Sequence, residues 1–88
     1  MRLWLQEARC IHEHEARDWH IYNPPYAGGL QFTLPTWNAA DPRRPYRGLL
    51  DVARASPAEQ MRRAYIVWKR GNTWRHDWPS TSVLCGAR

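Results

Sequence analysis

The clearest candidate for chemistry lies in residues 2–16, which read as an amphipathic helix. Each residue of an α-helix advances about 100° around the axis. On that projection Cys10, Leu3, Ile11, Trp4 and Ala8 form one apolar arc, and Glu15 falls on it, between Trp4 and Ala8. Glu13 falls on the opposite side, beside Gln6 and Arg9, where a hydrated carboxylate belongs. Glu7 lies near the arc but close enough to the helix start to stay wet. A carboxyl pressed against Trp and Ile side chains loses hydration, and that loss favours the neutral, proton-donating acid. Helix-face geometry therefore selects Glu15 over Glu13 as a general acid.

Two cysteines, Cys10 and Cys85, stand near opposite ends of the chain. A disulfide between them closes nearly the whole chain, a loop that the chain-entropy model puts at about 4–5 kcal/mol. Such a staple implies an oxidising compartment. The alternative is a pair of buried thiols. No Cys-x-x-Cys is present, which argues against a zinc ribbon or a thioredoxin-like redox site. His12, Glu13, His14 and Glu15 are crowded in sequence, with His20 nearby, but a regular helix points them apart. His-Glu-x-x-His is absent, because Ala16 stands four residues after His12. Neither a metal nor a cofactor is expected.

These groups must be positioned by a single small domain, residues 1–88, whose core alone is marginal. The net charge of +5, from thirteen Lys and Arg against eight acids, suits an anionic polymer without choosing among them. The arginines are scattered, and no zinc-finger, RRM-like or basic-zipper pattern is present. Six tryptophans, at positions 4, 19, 37, 68, 74 and 78, are many for this length. Some must form the core, Trp37 among them, and others are free to serve as stacking platforms. No run approaches eighteen apolar residues, so no membrane span is expected. Met1–Glu7 lacks the apolar stretch of a signal peptide. Work outside a cell would then need an upstream segment or another route, such as delivery on a phage particle.

The fold expected is mainly α with minimal β. Pro24-Pro25 forbids a long helix across 17–32, and Gly28-Gly29 permits a tight turn, so a short irregular hairpin fits there. Thr33 reads as the cap of a short helix over 34–40, with Pro35 in its first turn. Residues 41–55 start as a Pro- and Arg-rich loop and can hold one helical turn at Leu49, Leu50, Val52 and Ala53. Ser56-Pro57-Ala58-Glu59 is a strong helix start, with Ser56 as cap and Glu59 closing a capping box. Met61, Ala64, Tyr65 and Trp68 follow as an apolar stripe, and Gly71 ends the helix. Residues 72–88 read as a Trp-rich tail pinned by Cys85.

The order of these features carries a resemblance over residues 4–86. A Cys-bearing helix ends at Glu15, Trp19 follows, then Tyr26-Ala27-Gly28-Gly29-Leu30-Gln31-Phe32, then Thr36-Trp37, and a Trp-rich end with Cys85. This is similar to the transglycosylase-like domain of actinobacterial resuscitation-promoting factors, compact lysozyme-like enzymes that cleave peptidoglycan. The Gly-Gly-Leu-Gln-Phe stretch also resembles the Gly-Leu-Met-Gln motif of goose-type lysozymes and bacterial lytic transglycosylases. Two departures stand out. Resuscitation-promoting factors usually place the Glu directly after the Cys, whereas Glu15 lies five residues on, as in a related branch of transglycosylase-like domains. The usual Glu-Ser-Gly-Gly-Asn-Trp is replaced by Glu15-Ala16-Arg17-Asp18-Trp19, a shorter loop without glycines.

The resemblance implies a lysozyme-like α+β fold and cleavage of the β-1,4 bond between N-acetylmuramic acid and N-acetylglucosamine, with Glu15 as acid and then base. Trp19, Tyr26, Gly28, Gly29, Gln31 and Thr36 would contact the glycan. The glycines would let backbone approach a sugar, and Gln31 would offer both donor and acceptor. Other acids are Asp18, Asp41, Asp51 and Asp77. Asp18 is too close to Glu15 in sequence to face it across a sugar, and the other three lie in loops or turns. A one-carboxylate route to a 1,6-anhydro product is therefore favoured, with hydrolysis open. The expected partner is the peptidoglycan strand, met outside the cell, at the wall or from a phage particle, by a monomer. The competing readings are a catalytically silent peptidoglycan-binding module of the same fold and a small basic nucleic-acid-binding domain.

Overall fold

A computed structural model describes residues 2–71, 74 and 76–87. Five helices and one two-stranded hairpin follow in the order α1 (Arg2–Glu15), β1 (Tyr22–Asn23), β2 (Tyr26–Ala27), α2 (Leu34–Ala40), α3 (Leu49–Arg54), α4 (Pro57–Gly71) and α5 (Pro79–Leu84). The protein is thus mainly helical. No helix among the described residues is long and apolar enough to cross a membrane.

The local signals act where they stand in the sequence. Helix α1 runs to Glu15, and Arg17 just beyond it takes a left-handed φ of 57° while its amide reaches back to the His12 carbonyl. Glycine usually occupies that helix-ending position, so an arginine there holds about 1–2 kcal/mol of backbone strain. Pro24 and Pro25 form the turn of the hairpin, in which Tyr22 pairs with Ala27 and Asn23 with Tyr26. Thr33 caps α2 by accepting from the Thr36 amide. Ser56 caps α4 by accepting from the Glu59 amide. The expected reciprocal half of that capping box is not made. The Glu59 carboxylate instead receives Arg62 and Arg63, each at 2.8 Å, because two guanidiniums outbid one backbone amide.

Four of the six tryptophans form, with Tyr65, Phe32 and Tyr46, a continuous aromatic chain through the core. It runs Tyr65, Trp4, Trp74, Trp78, Phe32, Trp37, Tyr46, with successive ring centroids 5.2, 5.3, 5.0, 5.6, 5.0 and 5.1 Å apart. Each such pair contributes about 0.5–1.5 kcal/mol beyond its buried area. The chain joins α1, the hairpin, α2, α4 and the C-terminal segment, so this small domain has one core rather than several. Trp37 is fully buried, as expected.

The C-terminal residues differ from the expected tail. Pro79–Leu84 is a helix, opened by Pro79 in its first turn. Its short Ser, Thr and Val content has low helix propensity, and tertiary bonds hold it. Its Thr81 meets Glu15, and Cys85 just past its end is bridged to Cys10. The disulfide expected from the two cysteines is present.

The apolar stripe on α4 packs on the core as expected, and the helix adds two polar side chains to it. Ala64 is buried, but Met61, Tyr65 and Trp68 are only half-buried, and the helix commits Gln60 and Arg63 fully to the interior. Gln60 Nε2 donates to the carbonyls of Trp19 at 2.7 Å and Ala55 at 2.9 Å, and its Oε1 accepts from the Gly29 amide at 2.7 Å. Arg63 donates to Glu59, to the Trp37 carbonyl at 3.0 Å and to the Arg44 carbonyl at 2.8 Å, beneath the rings of Trp37 and Tyr46. Both polar groups are buried because the backbone around them needs partners that no helix or sheet supplies.

Two expected outcomes follow from these polar groups. Gln60→Leu leaves three backbone groups unmet, each costing about 1–3 kcal/mol when buried, so urea denaturation should show a loss of about 3 kcal/mol or more. The hydrogen bond from Arg62, and next that from Arg63, hold the Glu59 carboxyl at about 2, against an ordinary 4.5. A folded value below the unfolded one adds stability above the unfolded value and loses it as pH falls through the folded value. Denaturation midpoints should therefore drop between pH 4.5 and about pH 2, and Glu59→Gln should flatten that limb, leaving the smaller part due to Asp41, whose carboxyl Arg62 also lowers.

Candidate functional site

Glu15 is the last residue of α1 and is half-buried. Its Oε2 accepts a hydrogen bond from Thr81 Oγ1 of α5 at 2.8 Å. The helix face thus turns Glu15 inward as expected, where it meets a hydroxyl donor on α5. Glu7, on the same arc, also takes a donor, Trp74 Nε1 at 3.1 Å. Glu13 is exposed and opens onto a separate hollow of about 500 Å³ with His12, His14 and Arg17.

Three of the residues expected to contact substrate come together. Tyr26, Gln31 and Thr36 line one groove of about 50 Å³, with Phe32, Thr33, Asp77 and Trp78 completing its wall. Tyr26 is brought there by β2, and Gln31 by the turn that follows. Gln31 holds a left-handed φ of 55°, and its Nε2 donates to the Gly28 carbonyl at 3.0 Å. A non-glycine residue in that conformation is strained, and such strain clusters at binding sites. Thr36 faces the groove from the first turn of α2, where its hydroxyl is also bonded to the capping Thr33 at 3.0 Å. A larger hollow of about 380 Å³ shares Thr36 and Asp77 with the groove and extends along Ala39, Val67 and Arg70.

Gly28, Gly29 and Trp19 sit behind this groove and line none of the three hollows described. Gly28 and Gly29 are buried. A Cβ on Gly28 would come within 2.6 Å of Gln60 Oε1, and one on Gly29 within 2.5 Å of His12 Nδ1 and 2.6 Å of Trp19 Cε3. The close approach that these glycines permit is made by core side chains. Trp19 is half-buried and stacks on His12, with centroids 3.9 Å apart, while His12 Nδ1 donates to the Gly29 carbonyl at 2.7 Å. Trp19, His12 and Gln60 therefore form the bracket that holds the turn after β2, and with it Gln31.

The four aspartates are told apart by their surroundings. Asp41 is bound by Arg62 at 2.7 Å, Asp18 accepts from the His20 amide at 2.9 Å, and Asp51 is exposed on α3. Asp77 is the one of the four that faces the groove. Its neighbour His76 lies 3.3 Å from its carboxylate. Trp78 beside it is the N-cap of α5 and donates to the Leu30 carbonyl at 2.7 Å. Thr81, the partner of Glu15, is three residues further along α5, about one helical turn from Trp78 of the groove wall, and Glu15 itself lines none of the three hollows described. Sequence pattern alone did not single out Asp77 or Thr81, because each acts through a contact distant in the chain.

His14 Nδ1 donates to the Cys10 carbonyl at 2.9 Å and lies 3.7 and 3.8 Å from the two disulfide sulfurs. Both of those sulfurs are held in the bridge.

No family model matches the chain, and no curated protein or solved structure matches it.

The bracket behind the groove has a direct test. Gly29→Ala forces a Cβ into His12 and Trp19, and overpacking of this kind costs about 1–3 kcal/mol. The expected result is a lower melting temperature together with a changed Trp19 emission, whereas Ala39→Gly, in the wall of the larger hollow, should leave that emission unchanged.

Proposed function

We propose that this protein is a peptidoglycan-cleaving glycosidase of lysozyme-like fold, acting on the β-1,4 bond between N-acetylmuramic acid and N-acetylglucosamine. The observation that carries the reading is the convergence of Tyr26, Gln31 and Thr36 on one groove, with Trp78 of its wall about one helical turn from Thr81, the hydroxyl partner of the half-buried Glu15. These are among the residues on which the resemblance to the transglycosylase-like domain of resuscitation-promoting factors rests.

Glu15 protonates the departing glycosidic oxygen. Positive charge then builds at the muramic C1. In the one-carboxylate route the substrate's own C6 hydroxyl attacks C1 and gives its proton to Glu15, which leaves a 1,6-anhydro ring and restores the acid. In the hydrolytic route water attacks C1 instead, and Asp77 is the carboxylate available in the groove to receive its proton. A groove of about 50 Å³ is small beside the 300 Å³ or more of a typical ligand pocket. The glycan therefore also occupies the adjoining hollow, past Thr36 and Asp77.

Thr81 is a positioning residue in this reading, since its hydroxyl aims the Glu15 carboxylate. The groove's small volume favours one competing reading, a binding module of the same fold without turnover. Digestion of purified peptidoglycan separates the two. The wild type should release muropeptides, Glu15→Gln should lower release by about 10²-fold or more, and Thr81→Val should lower kcat more than KM while Thr81→Ser retains it. Products one water lighter than the hydrolytic ones mark the anhydro route, and hydrated products lost on Asp77→Asn mark the hydrolytic one. Binding without release by the folded, oxidised wild type would leave the binding module.

A further inference from the structure

The loop of residues 41–48 joins α2 to α3 and carries Arg43, Arg44 and Arg47, all exposed. Among the described residues no carboxylate lies within ion-pair distance of these three. Asp41, the acid within the loop, is already held by Arg62. Three uncompensated like charges in five residues repel one another and favour an open, mobile chain. The fold opposes that tendency with buried groups. The fully buried Arg63 donates to the Arg44 carbonyl, Asn38 and Tyr46 exchange two hydrogen bonds at 2.8 and 3.1 Å, and the Tyr46 ring packs on Trp37. Pro42 and Pro45 restrict the backbone further. The result is a braced cationic ridge.

The chemistry of its partner follows from shape and residue type. None of the three arginines lines any of the three hollows described. An exposed row of cations gains affinity for an anion by meeting several charges of one chain at once. Arginine supplies twelve of the thirteen Lys and Arg residues, and its planar fork matches phosphate oxygens in pairs. Nucleic acid fits less well. The loop's own aromatic, Tyr46, is engaged inward and offers no platform for a base, and the adjoining α3 has six residues, little over a turn and a half with which to enter a groove.

We propose that the loop of residues 41–48 docks an anionic phosphodiester polymer of the cell envelope, of the poly(glycerol phosphate) class. The choice of an envelope polymer rests on the glycan-cleaving reading above. Docking there holds the protein on walls that carry the polymer, while the groove at Tyr26, Gln31 and Thr36 is left free for the glycan.

The test uses the full oxidised chain and the triple variant R43Q/R44Q/R47Q. A fluorescent synthetic glycerol-phosphate decamer is titrated by anisotropy across a salt series, beside a single-stranded DNA decamer. The proposal expects at least tenfold weaker binding of the glycerol-phosphate chain by the variant, and a log K against log salt slope shallower by about 2, since each phosphate contact contributes about 0.7 on a single strand. Equal binding by wild type and variant overturns it, and so does wild-type binding of the DNA decamer as tight as or tighter than that of the glycerol-phosphate chain. Cleavage of polymer-free peptidoglycan, measured in parallel, should be equal in the two proteins. Its absence from both would overturn the glycosidase reading and leave the docking result to be judged by the titration alone.

Discussion

One buried amide governs how the hairpin, the loop after α1 and the start of α4 fit together. Gln60 uses both of its Nε2 hydrogens and one Oε1 lone pair on three backbone groups that lie 41, 31 and 5 residues away. Each of those groups is in irregular backbone, where no helix or strand neighbour is available to satisfy it. A Cβ on Gly28 would fall 2.6 Å from the oxygen of this amide, so the absence of one there is a condition of the contact. Around the same bracket, His12 and Trp19 close on Gly29 from α1 and its following loop. The turn that presents Gln31 is therefore held from behind by three different elements, and the strain of its left-handed residue is sustained by that grip.

Arg63 performs the corresponding task one helical turn further along α4. A buried guanidinium is costly to desolvate unless its donors and charge are met. Here it has Glu59 for charge, two carbonyls for hydrogen bonds, and the faces of Trp37 and Tyr46 for its plane. Its two carbonyl partners belong to α2 and to the arginine loop, so one side chain fixes both the helix that carries Thr36 and the ridge beside it. A domain of this size has little apolar volume to draw on. It reaches a defined structure by spanning its loops with long polar side chains, by a continuous aromatic chain, and by the bridge between Cys10 and Cys85.

The groove and the carboxylate are coupled through the C-terminal segment. Trp78 anchors that segment to Leu30 in the turn after β2, Thr81 anchors it to Glu15, and Cys85 anchors it to α1. These three contacts lie on one short helix or at its two ends. A change at that turn is therefore felt at the end of α1 along this segment as well as directly, through His12 on the Gly29 carbonyl.

Much of the local architecture was legible in the residues themselves. The caps at Thr33 and Ser56, the exclusion of helix at Pro24-Pro25 and the inward face of Glu15 depend on interactions within a few positions, and a linear sequence states those directly. Two cysteines at opposite ends left a single intramolecular bridge to consider. Tertiary structure decided the rest. It turned Gln60 and Arg63 inward and made a helix of residues 79–84. It also set Gly28 and Gly29 against core side chains and brought Asp77 to the groove. Each of these outcomes depends on a partner distant in sequence or on backbone left unsatisfied elsewhere. Local periodicity ranks side chains by polarity and spacing, and a buried glutamine or arginine looks solvated on that scale until the carbonyls that need it are in place.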